Sequence, residues 1–177
     1  TDYNLTIMKR LITAMLVALS FATLSDAAKK EVLPDWQNPQ VFQRNRIPMA
    51  SHFETDGLKL MLNGTWDFRW YETIDERSKD FFALDYDAEG WDDMPVPGLW
   101  ELNGYGDPLY VNTGYAWDNT FIDCPPTVPT FRNHIGLYRR YIDVPAEWRG
   151  KQIYVHIGSA TSNLALWING KRVGYSE

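Results

Sequence analysis

From Leu58 to Tyr175 the apolar residues recur in short runs at every second position, and few stretches suit a helix. Successive side chains of an extended chain point to opposite sides, so this period marks half-buried strands. Trp66, Phe68 and Trp70 alternate with Asp67, Arg69 and Tyr71 just after Asn63-Gly64. Leu137–Val144 sets Tyr138, Ile142 and Val144 on one face, Gln152–Ile157 repeats the pattern with Ile153, Val155 and Ile157, and Asn163–Ile168 with Leu164, Leu166 and Ile168. Asn169-Gly170 then predicts a tight hairpin into Lys171–Tyr175, since such turns need residues that tolerate positive φ. Many short strands with frequent turn signals give an all-β, loop-rich fold with few short helices: an antiparallel β-sandwich of jelly-roll type. The stripe Trp66, Phe68, Trp70 could stack on sugar rings, but at this period aromatics read as core.

The segments between the strands carry less pattern. Residues 29–57 hold Pro34, Pro39 and Pro48 and read as an extended lead-in with a short helical turn after Asp35. Ile74–Leu84 is charged and suits a surface helix or loop. Asp85, Asp87 and Glu89 mimic the start of a calcium loop, yet Val96 stands where a bidentate Glu is needed. Pro95, Pro97, Gly98, Gly104, Gly106 and Pro108 break the chain repeatedly, so 94–134 reads as loop with short strands such as Leu109–Val111. Asn112, Tyr115, Trp117 and Asn119 in this loop offer amide and aromatic groups with little charge. They suit a hydroxyl-rich ligand, and they equally suit turns and packing. Arg139 and Arg140 are neighbours and so face opposite ways; one is expected under a loop, paired to a carboxylate or to backbone carbonyls. His156 lies opposite Ile153, Val155 and Ile157 with no partner in pattern, and reads as structural.

Composition narrows the function. Eight Trp, ten Tyr and eight Phe in 177 residues supply a packed core. Seventeen basic against 23 acidic residues give a charge of −6 with no basic cluster, which excludes the electrostatic footprint of nucleic-acid binding. Cys124 is alone, and with His52, His134 and His156 it forms no zinc spacing. Met8-Lys9-Arg10, an apolar run from Leu11 to Leu24 and small residues at Ser25 and Ala27 resemble a cleaved signal peptide over 8–27. The run falls short of the roughly 20 residues of a membrane span. The expected organisation is an upstream extension 1–7, signal peptide 8–27, lead-in 28–57 and a β-sandwich over 58–177, exported to the periplasm or outside the cell. Because the last hairpin stops at Glu177 in mid-pattern, the chain is expected to be a fragment of a longer polypeptide.

Four stretches carry a resemblance. Asp35-Trp36-Gln37-Asn38-Pro39 with Asn45-Arg46, Leu62 to Phe68, Val96-Pro97-Gly98-Leu99-Trp100 through Pro108-Leu109-Tyr110-Val111-Asn112 to Gly136-Leu137-Tyr138-Arg139-Arg140, and Leu166 to Gly170 with Val173 to Ser176 stand in order and register. Together they resemble the N-terminal sugar-binding domain of glycoside hydrolase family 2, most closely that of its large bacterial β-galactosidases. The resemblance implies a galactose-binding-domain-like jelly roll that completes the sugar subsite of a (β/α)8 barrel in the same polypeptide. Two Glu of that barrel would perform retaining hydrolysis of terminal β-galactose. It implies that Asn112 hydrogen-bonds the galactose, with Tyr110 and Thr113 holding the loop, and that Glu101, Glu147 and Glu177 are not catalytic. Mg2+, and Na+ with it, is implied for the full-length enzyme; the matching Asp35 and Asn38 are too few ligands for a metal site to be assigned in this fragment. The implied partners are a galactoside and the barrel; the aromatic content separately suits a further copy in a homo-oligomer, and the composition gives no nucleic acid and no membrane span after signal cleavage. A free-standing carbohydrate-binding module is the alternative.

Overall fold

Trp66, Phe68 and Trp70 share one face of the strand Gly64–Tyr71, with Phe68 buried, and that strand is the centre of a sheet. The structure, a computed structural model, describes residues 33–50, 55, 57–108, 128–130 and 132–177. Six strands run in chain order among them: β1 (Gln43–Arg44), β2 (Gly64–Tyr71), β3 (Asp92–Val96), β4 (Ile135–Arg139), β5 (Leu164–Ile168) and β6 (Lys171–Ser176). They form two three-stranded antiparallel sheets, ordered β3-β2-β4 and β1-β6-β5. The longest helical pieces among the described residues are single 3-10 turns, such as Asp35–Gln37 and Ile74–Glu76. The expected all-β, loop-rich class is observed, with fewer described strands than a jelly roll has.

In the first sheet Trp66 lies opposite Met94 and Phe68 opposite Tyr138. Phe68 and Met94 are fully buried, which contributes about 1.5–3 kcal/mol for each side chain. Tyr105 closes edge-on over Phe68 at 4.8 Å, and Trp100 sits 6.2 Å from it. Trp66 is half-buried and turns its Nε1–H to the Leu62 carbonyl at 2.8 Å, so Phe68 is the one fully buried member of the stripe.

The second sheet is built on the hairpin. Asn169 (φ 49°) and Gly170 (φ 76°) both take the left-handed conformation and reverse β5 into β6. The lead-in then adds β1 to the other edge of β6, pairing Gln43 with Ser176 and Arg44 with Tyr175. Asp35 fastens this edge: its Oδ2 accepts from Arg44 Nε at 2.8 Å and from Arg172 Nη2 at 2.6 Å. A loop carries contacts from one sheet to the other. Phe81 and Phe82 pack on Trp167 of β5 at 4.9 and 5.8 Å, while Arg139 of β4 donates to the Phe81 and Ala83 carbonyls at 3.1 and 3.2 Å.

Two expectations are corrected. The strand expected over Leu137–Val144 is displaced to Ile135–Arg139, because its partner β2 supplies a ladder only from Asp67 to Tyr71. Leu137 is buried on the face opposite Phe68, Tyr138 is partly exposed beside Phe68, and Ile142 and Val144 are exposed. The strand expected over Gln152–Ile157 forms no ladder with any described residue, and Ile153, Val155 and Ile157 are exposed. An alternating segment becomes a strand only with a partner along its edge and cover for its apolar face.

Candidate functional site

Beyond the last β2–β4 pair, Tyr71 with Ile135, the two chains part around a cleft of about 270 Å³. Trp70, Glu72, Gly106, Asp107, Arg132 and His134 line it. Glu72 and His134 would form the next pair of the ladder, so register alone brings them to one place. The His134 ring lies 4.9 Å from the Trp70 indole, inclined at 58°. The Trp70 Nε1–H is buried with no hydrogen-bond partner among the described residues.

The walls are fixed by packing beneath them. Trp100 Nε1 donates to the Tyr138 hydroxyl at 2.6 Å, Asn103 Nδ2 to the Leu99 carbonyl at 2.7 Å, and the Tyr105 amide to the Trp100 carbonyl at 3.0 Å. These bonds hold the turn that delivers Gly106 and Asp107. Burial raises the Tyr105 phenol above its usual value, and its hydrogen bond to Asp92 adds to the rise. Burial also raises Tyr138, partly opposed by the bond from Trp100. Both phenols therefore stay neutral and serve as packing. Opposite them, a Cβ on Gly136 would lie 2.6 Å from Trp100 and 2.7 Å from Phe68, so only glycine lets β4 approach these rings.

Asn112, the residue expected to touch sugar, lies outside the described residues, as do Tyr110, Thr113, Tyr115, Trp117, Asn119 and the expected signal peptide. The flanks of that loop are described: Asp107 lines the cleft, and Val128 accepts from Gln37 Nε2 at 3.4 Å. Arg139 and Arg140 both clamp backbone carbonyls, Arg140 those of Leu62 and Asn63 at 2.6 and 3.2 Å. Glu101 and Glu147 are exposed in separate 3-10 turns, and Glu177 accepts from the Tyr175 hydroxyl at 2.5 Å.

Asp35 and Asn38 do not fit a divalent ion as arranged. Asp35 Oδ2 already accepts from two guanidiniums, and Asn38 Oδ1 accepts from the Gln40 amide at 3.1 Å. Among the described residues no three His, Cys, Asp or Glu side chains stand close enough to hold a metal.

The cleft residues were not distinguishable in the sequence. Trp70 read as core, and Glu72, Asp107, Arg132 and His134 follow no local motif. Their one signal is the ladder register, which requires knowing that β2 pairs with β4.

The family model for the glycosyl hydrolases family 2 sugar binding domain matches residues 59–177. The chain belongs to glycosyl hydrolase family 2. Within this family it is 37% identical over 160 residues to a β-galactosidase of Priestia megaterium, covering 81% of this chain and 15% of that protein. It is 36% identical over 149 residues to a β-galactosidase of Halalkalibacterium halodurans, covering 77% and 15%. A β-galactosidase large subunit of Leuconostoc lactis is 33% identical over 162 residues, covering 79% and 26%. The chain thus spans about 15% of the length of the first two relatives. The match covers β2 to β6, and β1 of the lead-in lies before it.

Proposed function

We propose that this chain is the non-catalytic N-terminal domain of an exported β-galactosidase, and that it completes the galactose subsite of a (β/α)8 barrel in the same polypeptide. The observation that carries this reading is the family 2 sugar-binding match, joined to relatives named β-galactosidase that are several times longer than the chain. The reaction is retaining hydrolysis: one Glu protonates the glycosidic oxygen, and a second, about 5–5.5 Å away, attacks the anomeric carbon before water releases galactose. Both Glu belong to the barrel, which needs about 250 residues of its own.

The domain's part is orientation. Asn112 both donates to and accepts from vicinal hydroxyls of the terminal galactose without adding a charge beside the catalytic pair. Export follows from the leader over 8–27. Mg2+ and Na+ belong to the full-length enzyme, and no step of this domain runs through them.

Steady-state hydrolysis of a nitrophenyl β-galactoside by the full-length polypeptide tests the proposal. Asn112→Ala is expected to lower kcat/KM ten- to hundredfold, the loss of about 1.4–2.8 kcal/mol of transition-state binding. An unchanged kcat/KM removes Asn112 from the site, and a full-length protein inert toward galactosides overturns the reading itself.

A further inference from the structure

The sequence carries three Asn-Gly pairs, Asn63-Gly64, Asn103-Gly104 and Asn169-Gly170, and each follows a branched aliphatic residue: Leu62, Leu102 or Ile168. Such a pair can modify itself in water. The glycine backbone nitrogen attacks the asparagine carboxamide, so that an N–Cγ bond forms, the Cγ–Nδ2 bond breaks and ammonia leaves a five-membered succinimide. Water then adds to one of the two ring carbonyls and opens the ring, either to aspartate or to isoaspartate, whose backbone runs through the side chain. Glycine hinders the attack least because it has no Cβ. With local sequences so nearly equal, the fold decides which pair reacts: the attacking nitrogen must be free of a hydrogen bond, and the carboxamide must be free to approach it.

Two of the pairs are held. Asn103 Nδ2 donates to the Leu99 carbonyl at 2.7 Å, and the Asn103 amide donates to the Trp100 carbonyl at 2.9 Å. Asn63 keeps its carbonyl under Arg140 Nη1 at 3.2 Å, and Gly64 enters the ladder opposite Val96. Pro95, opposite Thr65, has no N–H, so the hydrogen-bonded pairs of that ladder fall at Gly64–Val96 and Trp66–Met94, and the Gly64 nitrogen is engaged. The third pair differs on both counts. Asn169 is exposed, and its carboxamide makes no hydrogen bond among the described residues. Gly170 lies beyond the last ladder pair, Ile168 with Lys171, and its N–H donates to no backbone carbonyl among the described residues. The tip of a two-residue turn also opens locally at lower cost than the strands it joins.

We infer that Asn169-Gly170 is a self-modification site, at which the chain loses ammonia and acquires isoaspartate in the β5–β6 turn. The product lengthens the backbone of a turn that holds two residues, and the register of Ile168 with Lys171 depends on that length. Trp167, the next residue of β5, carries the Phe81 and Phe82 contacts, so the change reaches the packing of the second sheet.

The test is ageing of the folded 177-residue chain in mildly alkaline buffer, followed by proteolysis and mass spectrometry, which reads the replacement of NH2 by OH at each asparagine. Asn169 is expected to convert at least fivefold faster than Asn63 and Asn103, with isoaspartate separated from aspartate by chromatography. In urea the three rates are expected to agree within twofold. Amide exchange across β5 and β6 is expected to quicken in the aged chain and to stay at its fresh rate in aged Asn169→Gly, which keeps a turn tolerant of positive φ and lacks the carboxamide. Conversion of Asn63 or Asn103 at the rate of Asn169 or faster overturns the inference. A difference that persists in urea also overturns it, since the fold then has no part in the choice. Aged chain converted at Asn169 with unchanged exchange in β5 and β6 overturns the consequence drawn for the sheet.

Discussion

Asp35 keeps a charge where little water reaches it, at 7% exposure, because two guanidiniums meet it there. The hydrogen bond from Arg44 is the largest influence holding its carboxyl below the usual carboxylate range; burial opposes it, and Arg172 reinforces it. The same contact raises Arg44. A carboxyl with a lower pKa folded than unfolded stabilises the fold above its unfolded value, about 3.9, and that stabilisation disappears as pH falls through the folded value. Asp35→Asn should therefore cost about 1–3 kcal/mol near neutral pH, and this deficit relative to the native chain should shrink below about pH 4. Urea unfolding at several pH values measures it, and a deficit that widened on acidification would contradict the pairing. Gly136 makes a packing argument at the same scale. Gly136→Ala drives a methyl into two aromatic rings and should cost about 1–3 kcal/mol, read as a lower urea midpoint with unchanged slope. The glycine stood out in the sequence as part of Gly136-Leu137-Tyr138, but its reason did not, because Trp100 and Phe68 reach it from 36 and 68 positions away.

Elements decided by neighbours in sequence were legible, and those decided across the fold were not. The β5–β6 hairpin and β2 were read correctly, because the turn chemistry of Asn169-Gly170 and the period of Trp66, Phe68 and Trp70 are local. β3 runs into the stretch 94–134 that reads as loop: Asp92-Asp93-Met94-Pro95-Val96 carries two charges and a proline, which an edge strand tolerates and a central strand does not. β1 was missed because two residues hold no period. Gln152–Ile157 had the period and failed for want of partners, which no local pattern reports. The loop after Phe81 shows how such distant ties work. Its carbonyls have no ladder to enter, and Arg139 gathers those of Phe81 and Ala83, reaching Leu84 at 3.5 Å. Arg139→Leu should remove this shared tie and release the Phe81 and Phe82 contacts with Trp167. Amide exchange of Ala83 and Tyr86, whose N–H groups bond back to Asp80 and Ala83, should then quicken at least tenfold, while the amides of β2 keep their rates. Equal acceleration in β2 would mean that Arg139 supports the whole fold and not this loop.

At the scale of the molecule, the lead-in is a structural part of the domain. Asp35–Glu177 forms a compact unit of its own, and within it residues 35–46 reach the far end of the chain. Asn45 Nδ2 donates to the Val173 carbonyl at 2.7 Å, Arg46 Nη1 to Ser176 Oγ at 2.5 Å, and the Glu177 amide to the Phe42 carbonyl at 3.0 Å. These contacts join residues about as far apart as the unit allows, so they cost loop-closure entropy that only the completed sheet returns. Their consequence is coverage: β1 occupies one edge of β6, whose other edge belongs to β5. Without β1 a row of unpaired N–H and C=O groups along β6 would invite strands from other chains. Deleting residues 1–46 should therefore raise the mass seen by light scattering above that of the intact chain at equal concentration. A synthetic peptide of residues 35–46 should reverse the rise by adding its strand back to the vacant edge. A truncated chain that held the intact chain's mass would show that the edge is protected by something other than β1. Association that the peptide failed to reverse would place its cause elsewhere, in the exposed Ile153, Val155 and Ile157.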